Sequence, residues 1–203
     1  MTALTFRRAE AEDWPALWRI MEPVVRTGET YCWDVSMDED AARLEWLPGD
    51  ASSDPTLAVV VAVEGSSGEV LGTAQLHANR GGPGAHVANA SFLVASHAGG
   101  RGVGRALAEY VLEEARAAGY EAMQFNAVVE TNERAVALWI SLGFSVIGTV
   151  PAGFRHPGAG PVDALVARLF GAVDLDASDA GVLPVDPEPD LEAVLGGWAP
   201  RTR

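Results

Sequence analysis

The sequence predicts a single α/β domain, and three observations carry that prediction. Short, β-branched apolar runs alternate along the chain with longer segments whose apolar residues recur every three or four positions. Two of the runs flank a Gly-Ser-Ser-Gly turn and read as a hairpin. A glycine-dense turn joins another buried run to the longest helical pattern. The 203 residues, 48% hydrophobic and 21% charged, suffice for one domain with a sizeable core.

Taken in order, residues 5–8 form a short strand, and a helix begins at Glu12 with Trp14, Leu17, Trp18, Met21 and Val25 on one face. The run Thr27-Gly28-Glu29-Thr30 breaks it, and Tyr31 and Trp33 follow in a loop. A second helix is expected from Ser36, with Glu39 completing a capping box, to about Leu47 before Pro48-Gly49. Residues 56–64 and 70–75 are the two arms of the hairpin. Residues 86–94 form the next strand, and residues 102–118 a long helix that buries Val103, Leu107, Tyr110, Val111 and Ala115 and is stopped by Gly119. A strand over 122–128, a helix over 133–142 stopped by Gly143, and strands over 145–150 and 162–169 complete the domain. Residues 151–161 are expected to be a loop, because proline and glycine recur there.

From Gly171 the composition turns to Asp, Glu, Pro and Gly. The domain is therefore placed at 1–170 and an acidic, largely disordered tail at 171–203. Within the tail, Leu191, Val194, Leu195 and Trp198 have the spacing of a short helix that can dock on the domain or a partner.

Composition excludes several classes. A net charge of −14 argues against nucleic acid, whose phosphates need a basic surface, and favours cationic small molecules weakly. The single cysteine, Cys32, gives neither an intrachain disulfide nor a metal-ligand spacing, so no metal is expected and a reducing, cytoplasmic setting fits. No signal-peptide pattern opens the chain. The longest apolar run, residues 57–63, is too short to span a bilayer.

The segment Phe92-Leu-Val-Ala-Ser-His-Ala-Gly-Gly-Arg-Gly-Val-Gly-Arg-Ala-Leu107 carries the first chemistry. Gly100, Gly102 and Gly104 lack a Cβ, so successive backbone N–H groups can converge on one anion. The helix that follows adds its unpaired donors and its partial positive charge, which suits a pyrophosphate. Arg101 and Arg105 can add charge-assisted contacts. Alone, such a turn also reads as a flexible connection. A dinucleotide-binding unit fits poorly, because the turn comes late in the strand order and no acidic residue ends the next strand.

Downstream lies Asn126-Ala-Val-Val-Glu-Thr-Asn132-Glu-Arg-Ala135-Val-Ala-Leu138-Trp139-Ile-Ser-Leu142-Gly143-Phe144. The two segments, in this order and spacing, resemble the paired motifs of the GNAT superfamily of N-acetyltransferases: Gln/Arg-x-x-Gly-x-Gly/Ala, then Asn-x-x-Ala-x-x-Leu-Tyr/Trp-x-x-x-Gly-Phe. The resemblance covers residues 1 to about 170. It implies a mixed, mostly antiparallel sheet, flanked by helices and splayed between the fourth and fifth strands, with acetyl-CoA in the gap. It further implies that the backbone of Phe92 and Val94 meets the thioester and pantetheine. Gly100, Arg101, Gly102, Val103, Gly104 and Arg105 would then form the pyrophosphate loop, and Asn132 would contact the cofactor. Two positions depart from the pattern: Gly99 replaces the leading Gln/Arg, and Trp139 stands where a tyrosine often protonates the departing thiolate. Indole N–H is no useful acid, although a CoA thiol leaves readily near neutral pH.

In such an enzyme an amine attacks the thioester directly, proximity supplies much of the rate, and a backbone donor near Phe92 steadies the oxyanion. Along residues 86–94, Asn89 and Ser91 share one face, while Ala88, Ala90, Phe92 and Val94 share the other; Gln124 and Asn126 share a face of the next strand. Asn89 and Asn126 either contact substrate or satisfy each other. Asn126 with Asn132 also resembles a microbial subgroup that acetylates proline-like cyclic amines, which would assign Asn126 to a substrate carboxylate. Tyr31 and Trp33 either wall the acceptor site or simply pack. His86 and Glu130 are candidate bases, His77, His97 and His156 read as surface or capping histidines, and Cys32 has no evident histidine partner. The reading is acetyl transfer to a small-molecule amine, with a non-turnover acyl-CoA module or a peptide acceptor as alternatives, and a homodimer permitted.

Overall fold

Among the described residues, seven strands build one sheet, and four α-helices flank it. The structure is a computed structural model that describes residues 3–49 and 54–170. The expected tail from Gly171, with its candidate docking helix, lies outside the described residues. The elements run β1 (Leu4–Arg8), α1 (Trp14–Thr27), α2 (Glu39–Trp46), β2 (Ala58–Glu64), β3 (Val70–Ala78), β4 (Val87–Val94), α3 (Val103–Ala117), β5 (Ala122–Val129), α4 (Glu133–Ser141), β6 (Ser145–His156) and β7 (Gly160–Phe170). The strand order is β1-β2-β3-β4-β5-β7-β6, antiparallel throughout except for the β4–β5 pair. No helix among the described residues is long and apolar enough to cross a membrane.

Neighbouring residues on β3 show which helix covers which face, because successive side chains point oppositely. A Cβ on Gly72 would lie 3.4 Å from both Val103 and Leu107, so α3 sits on that face and the missing side chain lets it approach. Thr73 instead accepts from the Trp46 indole at 3.1 Å, which places α2 on the opposite face. Helix α1 packs over β3 and β4 and buries Trp14, Leu17, Ile20, Met21 and Val25. Trp18 is only half-buried and stacks on Trp14, so Ile20 takes the core position expected of it.

Two expectations are corrected. The second helix starts at Glu39 behind Asp38, whose carboxylate accepts from the Ala41 N–H at 2.8 Å. Ser36 is not the cap, because its N–H and hydroxyl both bind the Asp34 carboxylate in a local turn. Glu39, freed from a capping box, accepts from the Trp14 indole at 2.9 Å. Residues 151–161 are not a loop: β6 continues to His156, and β7 begins at Gly160. Pro151 falls inside a register shift between Val150 and Phe154, on the sheet's edge strand, where a missing N–H breaks no ladder.

Arg7 grips Asp13 with a two-pronged guanidinium at 2.6 and 2.8 Å, and Asp13 also accepts from the Glu10 N–H at 2.8 Å. The Arg7 hydrogen bond holds the Asp13 carboxyl below its usual range, against the opposing effect of burial. A carboxyl lowered in the folded state stabilises above its unfolded pKa and loses that contribution as pH falls through the folded value. Arg7 is partly exposed, which trims the gain. Asp13→Asn is expected to cost about 1 kcal/mol at neutral pH. In urea unfolding the gap to wild type should close as pH drops below the ordinary carboxylate range.

Candidate active site

Strands β4 and β5 pair only at Val87 with Ala122 and Ala88 with Met123, then separate. Beyond Ala88 the β5-facing edge of β4 has no strand partner, as expected for a splayed sheet. A bulge in β5 between Phe125 and Val128 turns that strand away. Below the split, Phe92, Phe125, Trp139 and Phe144 form an aromatic wedge, with Phe125 stacked on Phe144 at 4.5 Å and Trp139 4.9 Å from Phe92. The resulting cleft holds about 570 Å³ and brings together Tyr31, Trp33, Asn89, Phe92, Val94, Asn126 and Asn132. A second groove of about 460 Å³, between α1 and the segment 94–97, holds none of the expected acceptor residues.

The turn ahead of α3 has the open form its glycines suggest. Gly100 and Gly102 adopt φ of 76° and 82°, and a Cβ on either would meet nothing within 4 Å. Gly102 is the N-cap of α3 and offers no side-chain cap, so the first N–H groups of the helix face outward. Gly104 lies against Val94 at the top of the split. Both arginines already have protein partners: Arg101 reaches Glu64 at 2.5 Å, and Arg105 reaches Ser141 at 2.5 Å and Glu109 at 3.5 Å. At the turn itself, the peptide groups and the helix end meet no competing side-chain cap.

Asn132 caps α4, accepting from the Ala135 N–H at 3.3 Å, while it lines the cleft. Asn126 does not pair with Asn89. Its amide donates to Asn79 at 2.7 Å and accepts from Gln124 at 3.1 Å, and Gln124 in turn receives Arg168 at 3.5 Å. Asn89 and Ser91 share the α2-side face of β4, with His77 directly opposite Asn89 on β3. The expected bases lie outside the cleft: exposed His86 contacts the Pro83 carbonyl, and Glu130 accepts from the Asp163 N–H. His77 and Glu45 line it instead. The sequence reads His77 as a surface or capping histidine and gives no sign of Glu45, because only the folded sheet and α2 bring them there.

Tyr31 and Trp33 stack face to face at 4.1 Å, and Trp33 meets Trp46 edge-on at 5.9 Å. The Tyr31 hydroxyl accepts from the Phe92 N–H and donates to the Phe92 carbonyl, both at 2.9 Å. Burial pushes that hydroxyl up to about 12, against the pull of the Phe92 backbone and Ser91, so it stays protonated across the working pH range.

The splayed sheet and the second motif on α4 meet in one cleft, and the glycine turn comes up to it through Gly104, which lies against Val94. The sequence profile described as Acetyltransferase (GNAT) family matches residues 12–144. The chain belongs to the GNAT acetyltransferase family. It is an N-acetyltransferase whose acetyl donor is acetyl-CoA. A GCN5-related N-acetyltransferase from Kribbella flavida superposes with TM-score 0.77 at 49% identity, covering 83% of this chain and 98% of that one. The yncA acetyltransferase of Salmonella typhimurium, solved with acetyl-CoA, gives TM-score 0.70 at 26% identity over 88% and 99% of the two chains. N-acetyltransferase aca1 of Schizosaccharomyces pombe is 28% identical over 151 residues, 70% of this chain and 72% of that protein.

Because the GNAT motif tyrosine is Trp139 here, the α4 aromatic serves packing rather than proton transfer. It is buried against Phe92, Phe125 and Phe144. Trp139→Phe should keep kcat within about threefold, since no proton passes through an indole. A hundredfold loss, measured by thiol release, would show that the indole takes part in the chemistry.

Proposed function

We propose that this GNAT enzyme transfers acetyl from acetyl-CoA directly to the amine of a small molecule held on the α2 side of the split. The observation that carries this reading is the stacked Tyr31–Trp33 pair, which lines that side of the cleft beside Asn89 and Ser91 and offers a compact acceptor an aromatic wall. The open turn at Gly100 and Gly102, with no side chain in the way, fits a pyrophosphate; Gly100 to Arg105 would hold it through peptide N–H groups. The split-facing backbone of Phe92 and Val94 would align the thioester and pantetheine, and Asn132 would add a polar contact. The acetyl-CoA thioester supplies an activated carbonyl on a good leaving group.

Toward the acceptor, Asn89 presents a carboxamide from β4, and Asn126 presents one held by Asn79 and Gln124. Neutral amides of this kind suit an acceptor's carboxylate or hydroxyl, and the Tyr31–Trp33 faces suit a ring or aliphatic body. An aliphatic amine of pKa near 10 must lose a proton before attack. His77 and Glu45 supply an imidazole and a carboxylate to this cleft, groups able to accept that proton. A panel of proline-like cyclic amines, polyamines, amino acids, aminoglycosides and short peptides, read by thiol release, tests the assignment. Turnover confined to small amines supports it, and turnover confined to peptides overturns it.

A further inference from the structure

Strand β4 alternates its peptide groups between its two neighbours. Phe92 stands opposite Ala74 on β3, yet its N–H and carbonyl both meet Tyr31, so they point into the split. An edge inside a cleft leaves such groups in need of partners, and one phenol answers both. The same two groups would align an acyl thioester in the reading proposed above, on which this inference rests. Both occupants cannot use them together, since a single N–H aimed at the hydroxyl is not aimed at a thioester oxygen.

We infer that Tyr31 is a built-in occupant of the thioester seat, and that acetyl-CoA binds by displacing its hydroxyl from Phe92. The contact spans 61 positions of sequence and ties β4 to a loop whose Tyr31, Trp33 and Met37 pack against the core. The loop is pinned at its far end by Arg26, which donates to the Val35 and Met37 carbonyls at 2.7 and 3.0 Å. Tyr31 is stacked on Trp33, so a shift of the phenol moves the wall of the acceptor site with it. Donor binding is thereby coupled to the shape of the acceptor pocket. In the free enzyme the hydroxyl also keeps the Phe92 groups from pairing with a wrong ligand or another strand.

Tyr31→Phe tests this, because it keeps the stacked ring and removes only the competing hydroxyl. Calorimetric titration with acetyl-CoA and no acceptor should show the variant binding tighter on the order of tenfold, as an internal competitor worth two hydrogen bonds is lost. Unchanged or weaker binding by the variant, with normal binding by wild type, overturns the inference. Absent binding by wild type would instead overturn the acetyl-CoA seat itself. Amide hydrogen exchange on wild type supplies a check that needs no variant: acetyl-CoA should slow exchange along β4 and speed it across residues 29–35. Slower exchange in both segments would mean that Tyr31 stays in place, and would overturn the inference.

Discussion

Gly102→Glu should raise the dissociation constant for acetyl-CoA by at least about a hundredfold, roughly 3 kcal/mol of binding free energy. Gly102 is the N-cap of α3 at φ 82°, with open space where a side chain would project. A carboxylate there would settle on the outward N–H groups at the helix start and occupy the place of a phosphate. Forcing a side chain into the left-handed region also costs about 1–2 kcal/mol of stability. Gly102→Ala separates the two effects, since it carries the same backbone strain without a charge. It should lose similar stability yet bind acetyl-CoA within about tenfold of wild type, the remaining loss coming from a Cβ that keeps the phosphate off the backbone. Calorimetry reads both variants. Unchanged affinity in Gly102→Glu would place the pyrophosphate elsewhere.

Trp46→Ala should be among the most destabilising single changes in the domain, at about 3–5 kcal/mol, or roughly 10–15 °C in Tm. The side chain is fully buried, and its indole donates to the Thr73 hydroxyl, which donates on to the Val60 carbonyl at 2.9 Å. Its own carbonyl receives Gln75 at 2.9 Å. Removing the indole opens a large void beneath α2 and strips Thr73, which is buried, of its donor. Trp46→Phe keeps most of the volume and should lose only about 1–2 kcal/mol. The edge contact to Trp33 gives the change a functional signature as well. The acceptor KM should rise, because the wall formed by Trp33 and Tyr31 rests on this indole. Urea unfolding with steady-state kinetics reads both effects; a loss below about 1 kcal/mol would mean that α2 is held by something else.

What the sequence disclosed was what local pattern can encode. The turn at Gly100 and Gly102 and the start of α3 follow from glycine spacing and a helical stripe, and both lie where expected. The two faces of β4 follow from simple alternation: Phe92 packs on Phe125 and Trp139, while Asn89 faces the α2 side. Contacts set by strand order were beyond local pattern. Tyr31 reaches Phe92 and Asn126 reaches Asn79 only because the sheet brings distant segments together. The ion pair of Arg101 with Glu64, at the end of β2, was likewise out of reach of local pattern. The β6–β7 hairpin was hidden by Pro151 and its glycines, since an edge strand tolerates breakers that an interior strand rejects.

The division of labour along β4 bears on how such an enzyme can be altered. The edge turned to the split is made of peptide groups, and every amino acid but proline carries the same pair. Positions 89 and 91 send their side chains to the other region, the face shared with His77 and the aromatic loop. A library confined to those two positions can therefore search for new acceptors without rewriting the edge proposed to align the thioester. Mutational tolerance and chemical novelty would then coincide on alternate residues of a single strand.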